Sequence, residues 1–190
     1  RIQIMMSQIQ PHFLYNTLST IQALCLMNPK KASEVTERFG TYLRNNMGFL
    51  DQPNLILLSK ELEHTRIYSE IEMLRFPKIS VEYDIKTEDF YIPALTIQPL
   101  VENAIRHGVR SREQGFVTVA TRASADCFEI IISDNGIGFN PNNFSNDDGK
   151  HIGIANVKER VESMCGGTLT IKSELDKGTT VTITIPRRMV

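Results

Sequence analysis

The sequence has only three cysteines and no long apolar run, and both absences exclude whole classes of protein. Cys25, Cys127 and Cys165 are odd in number and far apart, so they provide neither a disulfide framework nor a metal-ligand pattern. This cysteine usage is typical of a reducing cytoplasm. No apolar stretch approaches the roughly 20 residues that a membrane-spanning helix needs. We therefore predict a cytoplasmic segment that makes no membrane contact of its own.

Tryptophan is absent, and neither sign of charge is in excess. The chain has 21 Lys and Arg against 22 Asp and Glu, a net charge of −1, which gives no electrostatic reason to expect nucleic acid as a partner. Hydrophobic residues make up 41% of the chain and include 9 Phe, so a sizeable core can form. The chain starts at Arg1, already in a helical pattern. We expect a longer protein whose N-terminal part carries a sensor or a membrane anchor.

Apolar spacing predicts a helical hairpin in the first quarter of the chain. A helix over 2–28 has apolar residues at steps of three and four, with a kink expected at Pro11. A second helix covers about 31–48. Each apolar stripe is more than a lone hairpin can cover, so we predict a homodimer that buries both stripes in a four-helix bundle.

The rest of the chain, after a boundary at 51–54, predicts an α+β fold. We therefore divide the chain into a hairpin domain, 1–50, and a second domain, 54–190. Ser59 is expected to cap one of the helices, and a polar, glycine-rich loop covers 139–151. The predicted strands are 55–58, 79–85, 115–123, 127–133, 169–173 and 179–185, and the predicted helices are 60–75, 94–107 and 153–165. Mostly antiparallel strands with helices on one face form a sandwich.

His12 lies on the polar stripe of the first predicted helix. Gln8, His12 and Asn16 are spaced by four residues, which places their side chains one above another. Imidazole is a competent nucleophile near neutral pH. The alternative is an ordinary surface or packing histidine.

A second polar cluster lies on the helix predicted over 94–107. Asn103, Arg106 and His107 share its polar face. An amide oxygen is a suitable ligand for Mg²⁺, and the two residues that follow can contact phosphate oxygens. The alternative is a solvated helix face.

Asp134 follows an alternating strand and opens the sequence Asp-Asn-Gly-Ile-Gly. A buried carboxylate there can accept a hydrogen bond from an adenine amino group. Gly136 and Gly138 let the backbone approach the base, where a Cβ atom would collide. The alternative is a common Asp-Asn-Gly turn.

These residues resemble the GHKL ATP-binding superfamily, which contains histidine kinases, Hsp90, gyrase and MutL. Leu100–His107 is similar to its N box, and Asp134–Gly138 to its G1 box. Gly153–Val157 is similar to the G2 box, and Gly178-Thr179 to its last glycine-threonine element. Pro11–Asn16, Pro-His-Phe-Leu-Tyr-Asn, resembles the phosphoacceptor motif of the LytS/YehU-type sensor histidine kinases.

The resemblance implies a Bergerat-type sandwich on a dimerising helical hairpin, with ATP and Mg²⁺ as ligands and a response regulator as partner. His12 would take the γ-phosphoryl group, and Asn16 would help to dephosphorylate the regulator. Asn103 would bind Mg²⁺, and Asp134 would read adenine. The remaining cofactor-binding residues implied are Arg106, His107, Gly136, Gly138, Gly153 and Thr179.

The sequence departs from the family pattern in ways that leave alternatives open. His151 stands where the G2 box usually has glycine, which suggests either a new phosphate donor or weaker ATP binding. His12 is followed by Phe13 and not by an acidic residue, so the base is unassigned. Glu102 is a candidate base, and an ion pair with Arg106 is its alternative.

Three functions follow from these motifs. The first is a sensor histidine kinase that phosphorylates His12 and passes the phosphoryl group to a response regulator. The second is a dimeric scaffold that binds nucleotide without phosphotransfer. The third is a GHKL ATPase; Pro99, at the position where hydrolysing relatives have a water-activating carboxylate, argues against it. His64 is expected at the surface, and the three cysteines in the core.

Overall fold

The computed structural model describes residues 11–51, 55–139 and 152–187, and it begins with two helices, α1 (Pro11–Met27) and α2 (Pro29–Asp51). Asn28 separates them because its side-chain oxygen accepts a hydrogen bond from the backbone N–H of Lys31, at 3.1 Å. This is an N-cap with proline in the first helical position. The predicted hairpin is therefore confirmed from Pro11 onward. Residues 2–10, which precede the predicted kink at Pro11, lie outside the described part.

The apolar face of α2 is covered by the same chain. Val35, Phe39 and Tyr42 are buried against α3 (Leu58–Arg75). We predicted that the apolar stripe of α2 needs a second chain to bury it. That argument was wrong, because α3 of the same chain already buries this stripe. Helix α1 differs, because four of its apolar side chains are exposed, namely Tyr15, Leu18, Leu26 and Met27. Met47 of α2 is exposed as well. Cys25 is exposed as well, contrary to prediction.

The main sheet has five strands in the order β2-β4-β5-β7-β6. Their bounds are β2 Ile79–Ile85, β4 Gly115–Ala123, β5 Cys127–Asp134, β6 Thr168–Glu174 and β7 Gly178–Pro186. Only β2 and β4 are parallel, and the other neighbours are antiparallel. The predicted mixed, mostly antiparallel sheet is thus confirmed. A small sheet pairs β1 (Leu55–Leu57) with β3 (Tyr91–Pro93), and β3 was missed because three residues show no periodicity.

Three helices cover the sheet: α3, α4 (Ile97–Asn103), which continues as a π-helical segment over Ala104–Val109, and α5 (Ile152–Cys165). Alternate strand residues such as Val119, Ile130 and Ile183 point into the core beneath them. One contiguous apolar cluster runs from Phe13 of α1 to Ile185 of β7. The hairpin and the sandwich therefore share a core.

Two details of the helices differ from prediction. Helix α3 begins at Leu58, with Leu57 in the capping position and no side-chain cap, so Ser59 is not the cap. Helix α4 starts at Ile97 and not at residue 94, because Leu95 has a positive φ of 56° that no helix accommodates. Among the described residues, no helix has both the length and the apolar character needed to cross a membrane.

Candidate active site

A pocket opens beneath α4 and its π-helical segment, against the ends of β5 and β7. It contains five of the predicted binding residues, namely Asn103, His107, Asp134, Gly138 and Thr179. Its other lining residues are Leu100, Ala104, Gly108, Ile132, Phe139, Ile154 and Val181. A mostly apolar pocket with a few convergent polar groups is the usual form of a small-molecule site. The predicted nucleotide-binding motifs, more than 70 residues apart in sequence, therefore meet in one pocket.

Asp134 is delivered to this pocket by the end of β5. Its Oδ1 accepts a hydrogen bond from the backbone N–H of Gly136 at 2.8 Å. Burial raises the pKa of the Asp134 carboxyl, and hydrogen bonds from the N–H groups of Gly136 and Thr179 partly offset that rise. The second oxygen can accept one further donor, which is the chemistry that an exocyclic amino group requires.

Glycine is needed where the loop after β5 crosses the end of the π-helical segment. A Cβ atom on Gly136 would lie 2.2 Å from the carbonyl carbon of Gly108, a backbone atom that cannot move aside easily. Gly138 has a φ of +57°, and a Cβ there would lie 2.0 Å from the carbonyl oxygen of Glu174. The backbone therefore forms the pocket edge in a way that only glycine allows.

The helix that carries Asn103 changes to π-helical geometry immediately after it. Such segments are rare and occur often at functional sites. Here the segment places His107 at the pocket, whereas Arg106 does not line it and pairs with Glu102 across one turn at 3.0 Å. The ion-pair alternative for Glu102 is thus the arrangement in the structure. Gly153 lies in the first turn of α5, close to Asn103: a Cβ atom built on the glycine would lie 3.5 Å from Asn103 Nδ2.

His12 and Asn16 lie on α1, apart from this pocket. The Asn16 amide nitrogen is 3.0 Å from the His12 ring nitrogens, and the ring is exposed. No residue of α1 lines the nucleotide pocket. The structure therefore brings the predicted binding residues together and holds the predicted acceptor histidine separately, against α3 and the end of the π-helical segment.

A buried glutamate and a half-buried arginine that sequence reasoning did not single out hold the start of α4. The Glu61 carboxylate of α3 accepts hydrogen bonds from the backbone N–H groups of Leu95 at 2.9 Å and Ile97 at 3.0 Å. Arg160 of α5 donates to the carbonyl oxygens of Ala94 and Leu95, each at 2.7 Å. Burial raises the pKa of Glu61, and these N–H groups and Arg160 oppose the rise. The loop before α4 is thus clamped between a carboxylate and a guanidinium.

The hairpin also contacts α4 directly. Gln98 donates a hydrogen bond from Nε2 to the Tyr42 hydroxyl oxygen at 2.6 Å. The Tyr42 ring stacks on His64, with centroids 4.6 Å apart.

The prediction that His64 lies at the surface was wrong, because the side chain is fully buried. Burial lowers the pKa of His64 to about 4, an effect that hydrogen bonding with Gln98 partly offsets, so this imidazole is neutral near pH 7.

Replacing Glu61 with alanine is expected to lower the free energy of unfolding by about 3 kcal/mol, because buried N–H groups and Arg160 lose their partner. Urea unfolding measures the change. Glu63→Ala is the matched control, since Glu63 is exposed on the same helix, and it should change stability by less than about 0.5 kcal/mol. Equal effects of the two substitutions would contradict the clamp.

Two protein families match this chain, one in each half. The family described as "Histidine kinase" matches residues 1–79. The family described as "Histidine kinase-, DNA gyrase B-, and HSP90-like ATPase" matches residues 93–189, which is the part that contains the pocket.

Similar proteins extend over nearly the whole chain. YwpD of Bacillus subtilis is 40% identical over 187 residues, which cover 94% of this chain and 67% of YwpD. The sensor protein LytS of Bacillus subtilis is 32% identical over 203 residues, covering 100% of this chain and 34% of LytS. The chain thus spans about a third of the length of such sensor proteins.

The fold is also similar to solved structures. The histidine kinase domain of the blue-light activated histidine kinase from Erythrobacter litoralis EL346 superposes with a TM-score of 0.60 and 15% identity, over 92% of each chain. This likeness confirms the predicted fold. With both family matches and the LytS-type relatives, it follows that the chain belongs to the histidine kinases, within the wider family of histidine kinase-, DNA gyrase B- and HSP90-like ATPases.

Proposed function

We propose that this chain is the catalytic portion of a sensor histidine kinase, which uses Mg-ATP to phosphorylate His12 and then passes the phosphoryl group to an aspartate of a response regulator. The observation that supports it most is a pocket containing Asn103, His107 and Asp134 in the same chain as an exposed histidine with an amide one turn later. Catalysis would consist of positioning and charge neutralisation.

The pocket suits an adenine nucleotide. Asp134 accepts hydrogen bonds from the backbone N–H groups of Gly136 and Thr179, and its carboxylate has further acceptor capacity for the adenine amino group. Leu100, Ile132 and Val181 supply apolar surface for the base. The other proposed binding residues at the base are Gly138, Gly153 and Thr179, together with Gly136, which packs against the Gly108 backbone.

The phosphate end of the site is proposed to lie at Asn103. Its amide oxygen would ligate Mg²⁺, which neutralises phosphate charge when bound. His107 and Arg106 would contact phosphate oxygens. Glu102 remains our candidate for the base that accepts the imidazole proton, although its ion pair with Arg106 would first have to open. Asn16, hydrogen-bonded to His12, would help to position water when the response regulator is dephosphorylated.

We further propose a homodimer formed through the hairpin of 1–50, with 54–190 as the ATP-binding domain. The exposed Leu18, Leu26 and Met27 on α1 support this arrangement, because clustered apolar side chains mark an interface more often than a free surface. The segment would be the cytoplasmic part of a longer protein with an N-terminal membrane sensor; in support, the chain covers only 34% of the length of the sensor protein LytS.

Incubation with γ-labelled ATP and Mg²⁺ tests the proposed function. The label should survive alkali and be lost in acid, as a phosphoramidate is. Steady release of phosphate without labelled protein would instead indicate an ATPase. Isothermal titration with Mg-ATP separates the remaining alternative, since a scaffold that binds nucleotide only weakly and does not transfer the phosphoryl group would give no measurable heat and no label.

Replacing Asp134 with asparagine is expected to weaken ATP binding by about 100-fold, because an NH₂ group would face either the Gly136 N–H or the adenine amino group. Isothermal titration measures the affinity. Asp176→Asn is the control, since Asp176 is exposed in the turn between β6 and β7. The wild-type protein should bind GTP much more weakly than ATP. Equal affinity for GTP and ATP would contradict the recognition of adenine by Asp134.

A further inference from the structure

His12 borders a small recess that is separate from the nucleotide pocket. The other residues around it are Phe13 of α1, Tyr68, Glu72 and Arg75 of α3, Arg106 of the π-helical segment, and Arg110, which follows that segment. Three guanidinium groups thus border the recess beside the proposed phosphoacceptor. Glu72 pairs with Arg75 and Glu102 pairs with Arg106, so Arg110 leaves one positive charge in excess. An excess positive charge beside an acceptor histidine suits an anionic group.

The arginines are oriented by the aromatic ring of Phe76. The Arg75 guanidinium lies 4.9 Å from its centroid and that of Arg110 lies 4.6 Å from it. Arg75 also forms an ion pair with Glu72, which is buried. Such stacking fixes the plane of a guanidinium and leaves its edge N–H groups available to an oxyanion. Two cations on one ring are therefore preorganised beside His12.

Tyr68 adds a neutral donor. Its side chain is buried, and burial raises the pKa of its hydroxyl well above the usual value. The phenol therefore stays protonated and can donate a hydrogen bond to an oxyanion.

We propose that this recess holds the phosphoryl group of His12 after transfer, through Arg75, Arg110 and Tyr68 of the same chain. The inference rests on the proposed function. In the transfer, a His12 ring nitrogen forms the P–N bond, the bond from the γ-phosphorus to its bridging oxygen breaks, and ADP leaves with that electron pair. The ring proton passes to Glu102, the proposed base, and from there to solvent. The product carries nearly two negative charges and three acceptor oxygens, which match two guanidinium groups and one hydroxyl.

The present volume of the recess, about 10 Å³, accommodates little more than a water molecule. Arg110 is exposed, so its side chain can move aside to admit the phosphoryl group and then return to its place on the Phe76 ring. The recess would thereby stabilise phosphohistidine relative to ATP and would keep it until a regulator arrives.

The test is the equilibrium ratio of phosphorylated to free His12 at a fixed ADP to ATP ratio. Arg110→Gln is expected to lower this ratio about tenfold, equivalent to about 1.4 kcal/mol, and Arg110→Lys should lower it less because the charge is kept. Arg44→Gln, an exposed arginine of α2, should leave it unchanged. In ³¹P spectra, Arg110→Gln should also raise the pKa of the phosphoryl group, which a purely structural role would not do.

The outcomes separate this inference from the function on which it rests. A labelled wild-type protein whose Arg110→Gln variant binds ATP normally and keeps the wild-type ratio would overturn the recess and leave the kinase intact. A wild-type protein that binds ATP but acquires no label would overturn both.

Discussion

Replacing His12 with glutamine should abolish labelling of the protein by γ-labelled ATP, by more than about a thousandfold, because an amide nitrogen is not a nucleophile. ATP affinity should stay within about twofold of wild type, since no residue of α1 lines the nucleotide pocket. The combination matters more than either result alone, because loss of both would indicate only a damaged fold. Filter-binding of labelled protein and isothermal titration measure the two quantities.

Ser19→Ala is the matched control for His12→Gln. Ser19 is exposed on the same helix, and its hydroxyl hydrogen-bonds only to the backbone of Tyr15 in the contacts described. This variant should label as wild type does. Label retained in His12→Gln would mean that the acceptor is another side chain.

Replacing Gly136 with alanine is expected to reduce ATP affinity at least about 100-fold and to lower the free energy of unfolding by about 3 kcal/mol. The reason is the 2.2 Å approach of a Cβ atom to the Gly108 carbonyl carbon. Relief of that clash must separate the loop after β5 from the π-helical segment. It would also break the hydrogen bond from Ile137 N–H to the Gly108 carbonyl oxygen, 3.1 Å long. Both sides of the pocket would then shift.

Gly40 provides the matched control, because a Cβ built on it meets nothing within 4 Å. Gly40 lies within α2, so Gly40→Ala should raise the free energy of unfolding by about 0.5–1 kcal/mol through helix propensity alone. ATP affinity should not change. Titration with ATP and urea unfolding of both variants test the pair, and normal ATP binding by Gly136→Ala would show that the crossing is not needed for the pocket.

The predicted residues that line the pocket could be picked out from the sequence because each belongs to a short motif with fixed local geometry. Asp134 ends a strand and Asn103 lies on a helix, so both positions follow from periodicity and spacing. That these motifs meet in one pocket was implied only by the resemblance to the GHKL superfamily. Confirmation of the mixed sheet shows that the alternating patterns were sufficient for β4, β5 and β7.

The missed features depend on contacts between distant parts of the chain. Glu61 and Arg160 are about 100 residues apart, and neither has a local pattern that reveals its role at the start of α4. His64 has polar neighbours in sequence, which suggested the surface, yet Tyr42 from α2 covers it. A π-helical segment arises from a shift in hydrogen-bond register that apolar periodicity does not encode.

The buried contacts around α4 also bear on how the protein works. Tyr42 of α2 reaches Gln98 in the first turn of α4, and Arg160 of α5 reaches the loop just before it. The helix that carries Asn103 is therefore held from the hairpin and from α5 at the same end. The hairpin and the helix that lines the nucleotide pocket are thus joined by a direct hydrogen bond.

The most direct measurement is to locate the phosphoryl group. Protein incubated with Mg-ATP is digested under alkaline conditions, which preserve phosphohistidine, and the modified peptide is sequenced by mass spectrometry. The account predicts one modified residue, His12. A phosphoryl group on a serine, threonine or aspartate, or on His64, His107 or His151, would contradict it.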